Sequence, residues 1–184
     1  MRRIQNALRT LTVSAEAILP CVFLGMLLSL AGCASSGVDG ELLVDSPPPL
    51  RSVVIDVQGG RSERGLNQKD LDALVPLLKV RVPKVFALND VAATLPPGSP
   101  DASMVLTLTP VKAGRSGARH YLDFAATLYS RERQKMIWRG SLDIGYSGSL
   151  SQFDEQAADQ MAVRLLEQLR TDKIYRGGSV RRPG

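Results

Sequence analysis

The sequence predicts an α+β domain: a mostly antiparallel sheet of four to five strands with two helices packed on one face. Three patterns carry that prediction. Leu122, Phe124, Ala126 and Leu128 alternate with Tyr121, Asp123, Thr127 and Tyr129, a polar turn follows at Ser130 to Lys135, and Met136, Trp138, Gly140, Leu142 and Ile144 alternate on the returning run. Together these runs spell one antiparallel hairpin. Leu71, Leu74, Val75 and Leu78 repeat at helical spacing, and so do Ala158, Met161, Ala162, Leu165, Leu166 and Leu169.

The remaining elements follow in chain order. Ala34 to Arg51 is rich in Ser, Gly, Asp and Pro, ends in Pro47-Pro48-Pro49 and reads as a proline-stiffened tether. At full extension its eighteen residues span on the order of 60 Å. Ser52 to Gln58 is β-branched, bounded by Pro and Gly, and reads as a strand with Asp56 facing solvent. Asn67 caps the first helix and Asp70 sits in its first turn, where a carboxylate meets the helix dipole. Pro76 falls inside the stripe, which predicts a kink or early end, with Val85 to Leu88 leaving as a short strand. Thr94 to Pro100 is a loop, and Met104, Leu106 and Leu108 alternate with Val105, Thr107 and Thr109 as a half-covered strand does. Lys112 to Arg119 reads as a connection, Phe153 to Thr171 as the second helix opened by Asp154 and Glu155, and 175–184 as a disordered basic tail. If the first strand and its successor are parallel, their connection is a right-handed crossover.

The N-terminus sets location. Arg2, Arg3 and Arg9 precede an apolar run from Ala17 to Ala31, the pattern of a signal peptide. The run has 15 residues, fewer than the about 20 a spanning helix needs. It ends in Leu30-Ala31-Gly32-Cys33, which resembles the lipobox of bacterial lipoproteins. That resemblance implies that residues 1–32 are removed, that Cys33 is acylated, palmitate included, and that 33–51 tethers a domain at 52–174. Ala34 after the cysteine implies the outer membrane, with the domain in the periplasm. The mature chain then has 152 residues, one domain's worth, and no thiol pair. Its net charge falls from +5 to +3, and the basic residues lack interleaved aromatics, which argues against nucleic acid as a partner.

Catalytic chemistry finds little support. The G-x-x-x-x-G spacing of Gly60 to Gly65 is followed by Leu66-Asn67, so it lacks the lysine and hydroxyl of a phosphate loop. His120 is the only histidine and no serine sits in G-x-S-x-G, so no metal, cofactor or catalytic residue is expected. Asp123 and Asp143 lie on the polar phases of the hairpin and read as solvating groups unless they converge with His120 in a pocket. Trp138 shares a core phase. The candidate interaction patch is Arg131, Arg133 and Lys135 at the hairpin tip, joined by Arg115 and Arg119 from the connection before it.

The order of elements, with Tyr121 to Tyr129, a turn, and Met136-Ile137-Trp138-Arg139-Gly140, resembles small envelope lipoproteins whose domain is similar to the N-terminal domain of TolB. Penicillin-binding-protein activators and the curli secretion lipoprotein carry versions of that domain, and the lipopolysaccharide-assembly lipoprotein has a similar plan. The resemblance implies a non-catalytic protein that binds an envelope protein or an anionic lipid or glycan component. Two alternatives are an auxiliary subunit of an envelope transport or assembly complex and, third, a hydrolase of an envelope polymer.

Overall fold

A computed structural model describes residues 37–59, 65–116, 119–146 and 153–183. The predicted signal peptide, the lipobox-like run with Cys33, and most of the Gly60 to Gly65 loop lie outside the described residues. The architecture is α+β, and the described elements run β1 (Val38–Leu42), β2 (Ser52–Val57), α1 (Gln68–Leu88), β3 (Ala92–Thr94), β4 (Met104–Ser116), β5 (Arg119–Ser130), β6 (Lys135–Tyr146) and α2 (Glu155–Thr171). The strands form one six-stranded mixed sheet in the order β1-β6-β5-β4-β2-β3.

The antiparallel part is the predicted hairpin, enlarged. β4 pairs with β5 and β5 with β6, both antiparallel. Met104, Leu106, Leu108, Leu122, Phe124, Ala126 and Leu128 all turn inward and are buried, as their alternation requires. β4 and β5 continue to Ser116 and from Arg119, so Lys112 to Arg119 is paired strand over most of its length and not a connection. Two bulges adjust the pleat. Val111 is the extra residue between Pro110 and Lys112, and Ile137 the extra residue between Met136 and Trp138. The second bulge corrects the predicted phase: Met136 is turned out to solvent while Ile137 and Trp138 are both fully buried.

β2 departs from the predicted antiparallel sheet because it pairs parallel with both β3 and β4. A helix lies between β2 and β3, and a helical crossover is what lets two consecutive strands run the same way. Both faces of β2 are covered: Val53, Ile55 and Val57 face the helices, while Val54 on the other side is also buried. Gly98, at φ 76°, lets the loop after β3 press on Val54, where a Cβ would come within 2.4 Å of its Cγ2.

α1 begins as predicted, with Asp70 N–H donating to Asn67 Oδ1 at 3.0 Å in a capping box. It does not end early. Pro76 and Pro83 both lie inside a helix that continues to Leu88, and the short strand comes after it, at Ala92–Thr94. The physical reason is where the lost bonds fall. Pro76 and the carbonyl-bearing Asp72 are exposed, so water can serve the freed carbonyl, while Leu71, Leu74, Leu78, Val82, Val85 and Phe86 form a continuous buried stripe. α2 is capped by Asp154, whose side chain accepts from Ala157 N–H at 2.9 Å, and it buries the whole predicted stripe.

Both ends of the predicted domain are longer than expected. Val38–Leu42, read as tether, is an edge strand antiparallel to β6. Its Gly40 lies opposite Gly140, and the two glycines make room for the Trp138 indole, whose Nε1–H donates to Asp172 Oδ2 at 2.7 Å. The residues read as a disordered tail are stitched to the C-terminus of α1. Tyr175 is buried and its hydroxyl donates to Asn89 O at 3.0 Å, while Asn89 Nδ2 donates to Val85 O and Arg181 O at 2.8 and 3.1 Å. Tyr175 has apolar area to bury and Asn89 has buried polar groups to satisfy, and each answers the other.

A Cβ on Gly40 would sit 2.6 Å from Asp172 Oδ2 and 2.7 Å from Trp138 Nε1, whereas one on Gly145 would meet nothing closer than 4.0 Å. Gly40→Ala should therefore cost roughly 1–3 kcal/mol in denaturant unfolding, with Gly145→Ala near neutral. Equal stabilities for the two variants would contradict this packing.

Candidate interaction surfaces

The predicted basic patch is divided by the fold. Arg131, Arg133 and Lys135 sit at the β5–β6 tip, while Arg115 and Arg119 sit at the opposite end of β5, which is 12 residues long. At about 3.4 Å per residue the two groups lie roughly 37 Å apart along the strand. Within the tip, Arg131 has a structural task. Its Nη1 donates to Ser99 O at 3.0 Å and Ala102 O at 3.4 Å, holding the loop that leads into β4. Arg133 and Lys135 are exposed and line a depression of about 820 Å³ with Glu41 and Asp45, so the tip is a surface of mixed charge.

The carboxylate and histidine candidates do not converge. Asp123 lies directly between Lys112 on β4 and Asp143 on β6, a three-residue row across the outward face of the sheet. Partial burial, and then the charge of Asp143, raise the Asp123 pKa, with Lys112 opposing. Lys112 also places its Nζ 5.1 Å from the centroid of the Tyr121 ring. His120 belongs to the other phase, with Leu122 and Phe124, and its ring centroid is 5.8 Å from that of Tyr146. The sheet itself separates it from the carboxylate pair. Trp138 is fully buried, as its phase predicts, and offers no platform for a sugar.

One charged cluster is not visible in the sequence patterns. Arg81 of α1 reaches α2, where its Nε donates to Asp159 Oδ1 at 2.8 Å, its Nη2 bonds Asp159 Oδ2, and its Nη1 meets Glu155 Oε2 at 2.7 Å. The hydrogen bonds that Arg81 donates to Asp159 hold its pKa above the ordinary value. The four-residue spacing of Glu155 and Asp159 places both acids on one side of α2, which is the only sequence signal for the pair. This ion-pair fork borders an open groove of about 1000 Å³ along α2 that Val38, Gln160, Gln168 and Arg182 also line. Arg81 is engaged with these acids, and Arg164 and Arg182 line the groove beside its amides and carboxylates. Among the described residues, no three His, Cys, Asp or Glu side chains gather as a metal site would require, and no helix is long and apolar enough to cross a membrane.

No family model and no curated protein matches the chain. Solved structures with a partial likeness include a PelC dodecamer from Paraburkholderia phytofirmans, at 10% identity and TM-score 0.48, covering 73% of this chain and 96% of that one. Lipoprotein GNA1162 from Neisseria meningitidis aligns at 11% identity and TM-score 0.41, covering 65% of this chain and 98% of that one. Protein XCC0632 from Xanthomonas campestris aligns at 14% identity and TM-score 0.46, covering 72% of this chain and 96% of that one. At such values each name describes the neighbour alone.

Asp123 carries a raised pKa, so the folded state holds its proton more tightly than the unfolded chain. That contribution is present below the ordinary Asp pKa of about 3.9 and is lost as pH rises through the raised value. Asp123→Asn should therefore increase stability at neutral pH, by roughly 0.2–1 kcal/mol as for a like-charge cross-strand pair, and the gain should vanish in acid. Urea unfolding at pH 7 and below pH 4 checks it, and a gain independent of pH would contradict it.

Proposed function

We propose that the chain is a non-catalytic lipoprotein of the bacterial cell envelope, anchored through acylated Cys33 to the outer membrane, whose domain binds an envelope protein or an anionic envelope component. The observation that carries this reading is the lipobox-like Leu30-Ala31-Gly32-Cys33 after a basic and then apolar run.

The reading prefers binding to catalysis because its named candidates are apart: Asp123 and Asp143 face outward on an open sheet and His120 faces the other way, so these three side chains do not converge in a pocket. For the binding surface, the proposal keeps Arg133 and Lys135, which are exposed, and drops Arg131, whose guanidinium serves the loop carbonyls. The similarity to TolB-type domains remains one of layout and of the Ile137-Trp138-Arg139-Gly140 run.

Cys33→Ala should abolish incorporation of labelled palmitate and move the protein from the membrane to the soluble fraction; a variant that still takes up label refutes the anchor. Arg133→Glu combined with Lys135→Glu should weaken co-sedimentation with anionic envelope components several-fold. Unchanged co-sedimentation would remove the tip from the reading.

A further inference from the structure

The two helices meet solvent differently. The exposed positions of α2 are polar: Glu155, Gln156, Gln160, Arg170 and Thr171. Those of α1 include Ala73, Pro76, Val80, Ala87 and Leu88. Val80 is 66% exposed, more than any other large apolar side chain among the described residues. The core stripe from Leu71 to Phe86 already uses the inward side of α1, so this helix carries apolar residues on both sides. A helix apolar all round is suited to burial, and a continuous exposed apolar surface marks a contact.

The outward residues form a row. Asp72, Pro76, Val80, Lys84 and Leu88 recur every four residues and all are exposed, which makes them one ridge of the helix surface. Lys69, Asp72 and Lys84 are the exposed charged residues of α1. Its other charges are engaged or partly covered: Asp70 in the capping box, Arg81 with Asp159 and Glu155, and Lys79 half-buried. Asp72 accepts a hydrogen bond from Gln68 Nε2 at 2.8 Å, and that neutral donor leaves its charge in place. The ridge therefore runs from an acid, through apolar residues, to a base.

That order selects the occupant. An anionic surface is repelled by Asp72 and a cationic one by Lys84. A second copy aligned antiparallel answers both. With the crossing centred midway between Pro76 and Val80, each Val80 lies against Pro76 of the other copy and each Asp72 against its Lys84, twice by symmetry. A parallel alignment would set like charges together. Lys69 lies about 13 Å along the axis from that centre, outside the crossing. Arg182 lines a depression with Lys84 and Leu88 and adds a second cation where the other copy's Asp72 arrives.

We propose that α1 pairs with α1 of a second copy of this chain, antiparallel about a two-fold axis, through the ridge from Asp72 to Leu88. Ala73 and Ala87 flank the ridge with short side chains, so the axes can approach to the usual separation of about 8–10 Å.

The test is sedimentation equilibrium of the full chain at low salt in density-matched detergent micelles. The wild type should be a reversible dimer. Asp72→Lys and Lys84→Glu each place like charges together at both symmetric contacts, and each alone should weaken association by roughly ten-fold or more. An equimolar mixture of the two variants should recover the dimer, because an Asp72→Lys chain facing a Lys84→Glu chain has opposite charges at both contacts. Recovery also shows that the two variants are folded. A monomeric wild type, association unchanged in either variant, or a mixture as weak as its components overturns the proposal.

Discussion

The structure depends on how Trp138 is buried. The bulge at Ile137 turns this indole inward, two facing glycines on β1 and β6 clear the space beside it, and Asp172 after α2 accepts its one hydrogen bond. A buried tryptophan needs both room and an acceptor. Here the room comes from one edge of the sheet and the acceptor from the end of the last helix. A single side chain therefore ties the first strand of the domain to its last helix.

The charged groups divide into those the fold consumes and those it leaves to the surface. Arg81 joins α1 to α2 through Asp159 and Glu155, Arg131 secures the loop before β4, and Asn89 closes α1 onto the chain end. Arg133 and Lys135 remain exposed on a tip shared with Glu41 and Asp45. Buried or half-buried charges need partners, and the partners come from distant parts of the chain. Composition alone therefore overstates how basic any one surface is. The five cations grouped by their nearness in sequence belong to two ends of a strand, because a hairpin keeps neighbours in sequence together only at its own turn.

Much of the fold is legible because its signals are local. The alternation of Leu122 to Leu128, the α2 stripe and the Asn67 and Asp154 caps each follow from a few consecutive residues, and each appears where expected. Three features are not local. Val38–Leu42 is polar and glycine-bearing, and it becomes a strand because β6 offers it an edge and Trp138 needs a cover. Pro76 and Pro83 stay helical because a long buried stripe outweighs backbone bonds lost partly on the wet side. Tyr175 and Arg181 are ordered by Asn89, a partner more than eighty residues away in the chain.

The sequence by itself determined the class of the fold, the hairpin at its centre, the two helices and the lipobox-like run ending at Cys33, because periodicity, caps and short motifs are properties of neighbouring residues. Tertiary structure decided the sixth strand, the parallel pairing of β2, the separation of Asp123 and Asp143 from His120, and the division of the basic patch. Each of these depends on which distant segment covers an exposed face or strand edge, and that choice is made by burial and hydrogen-bond satisfaction over the whole domain.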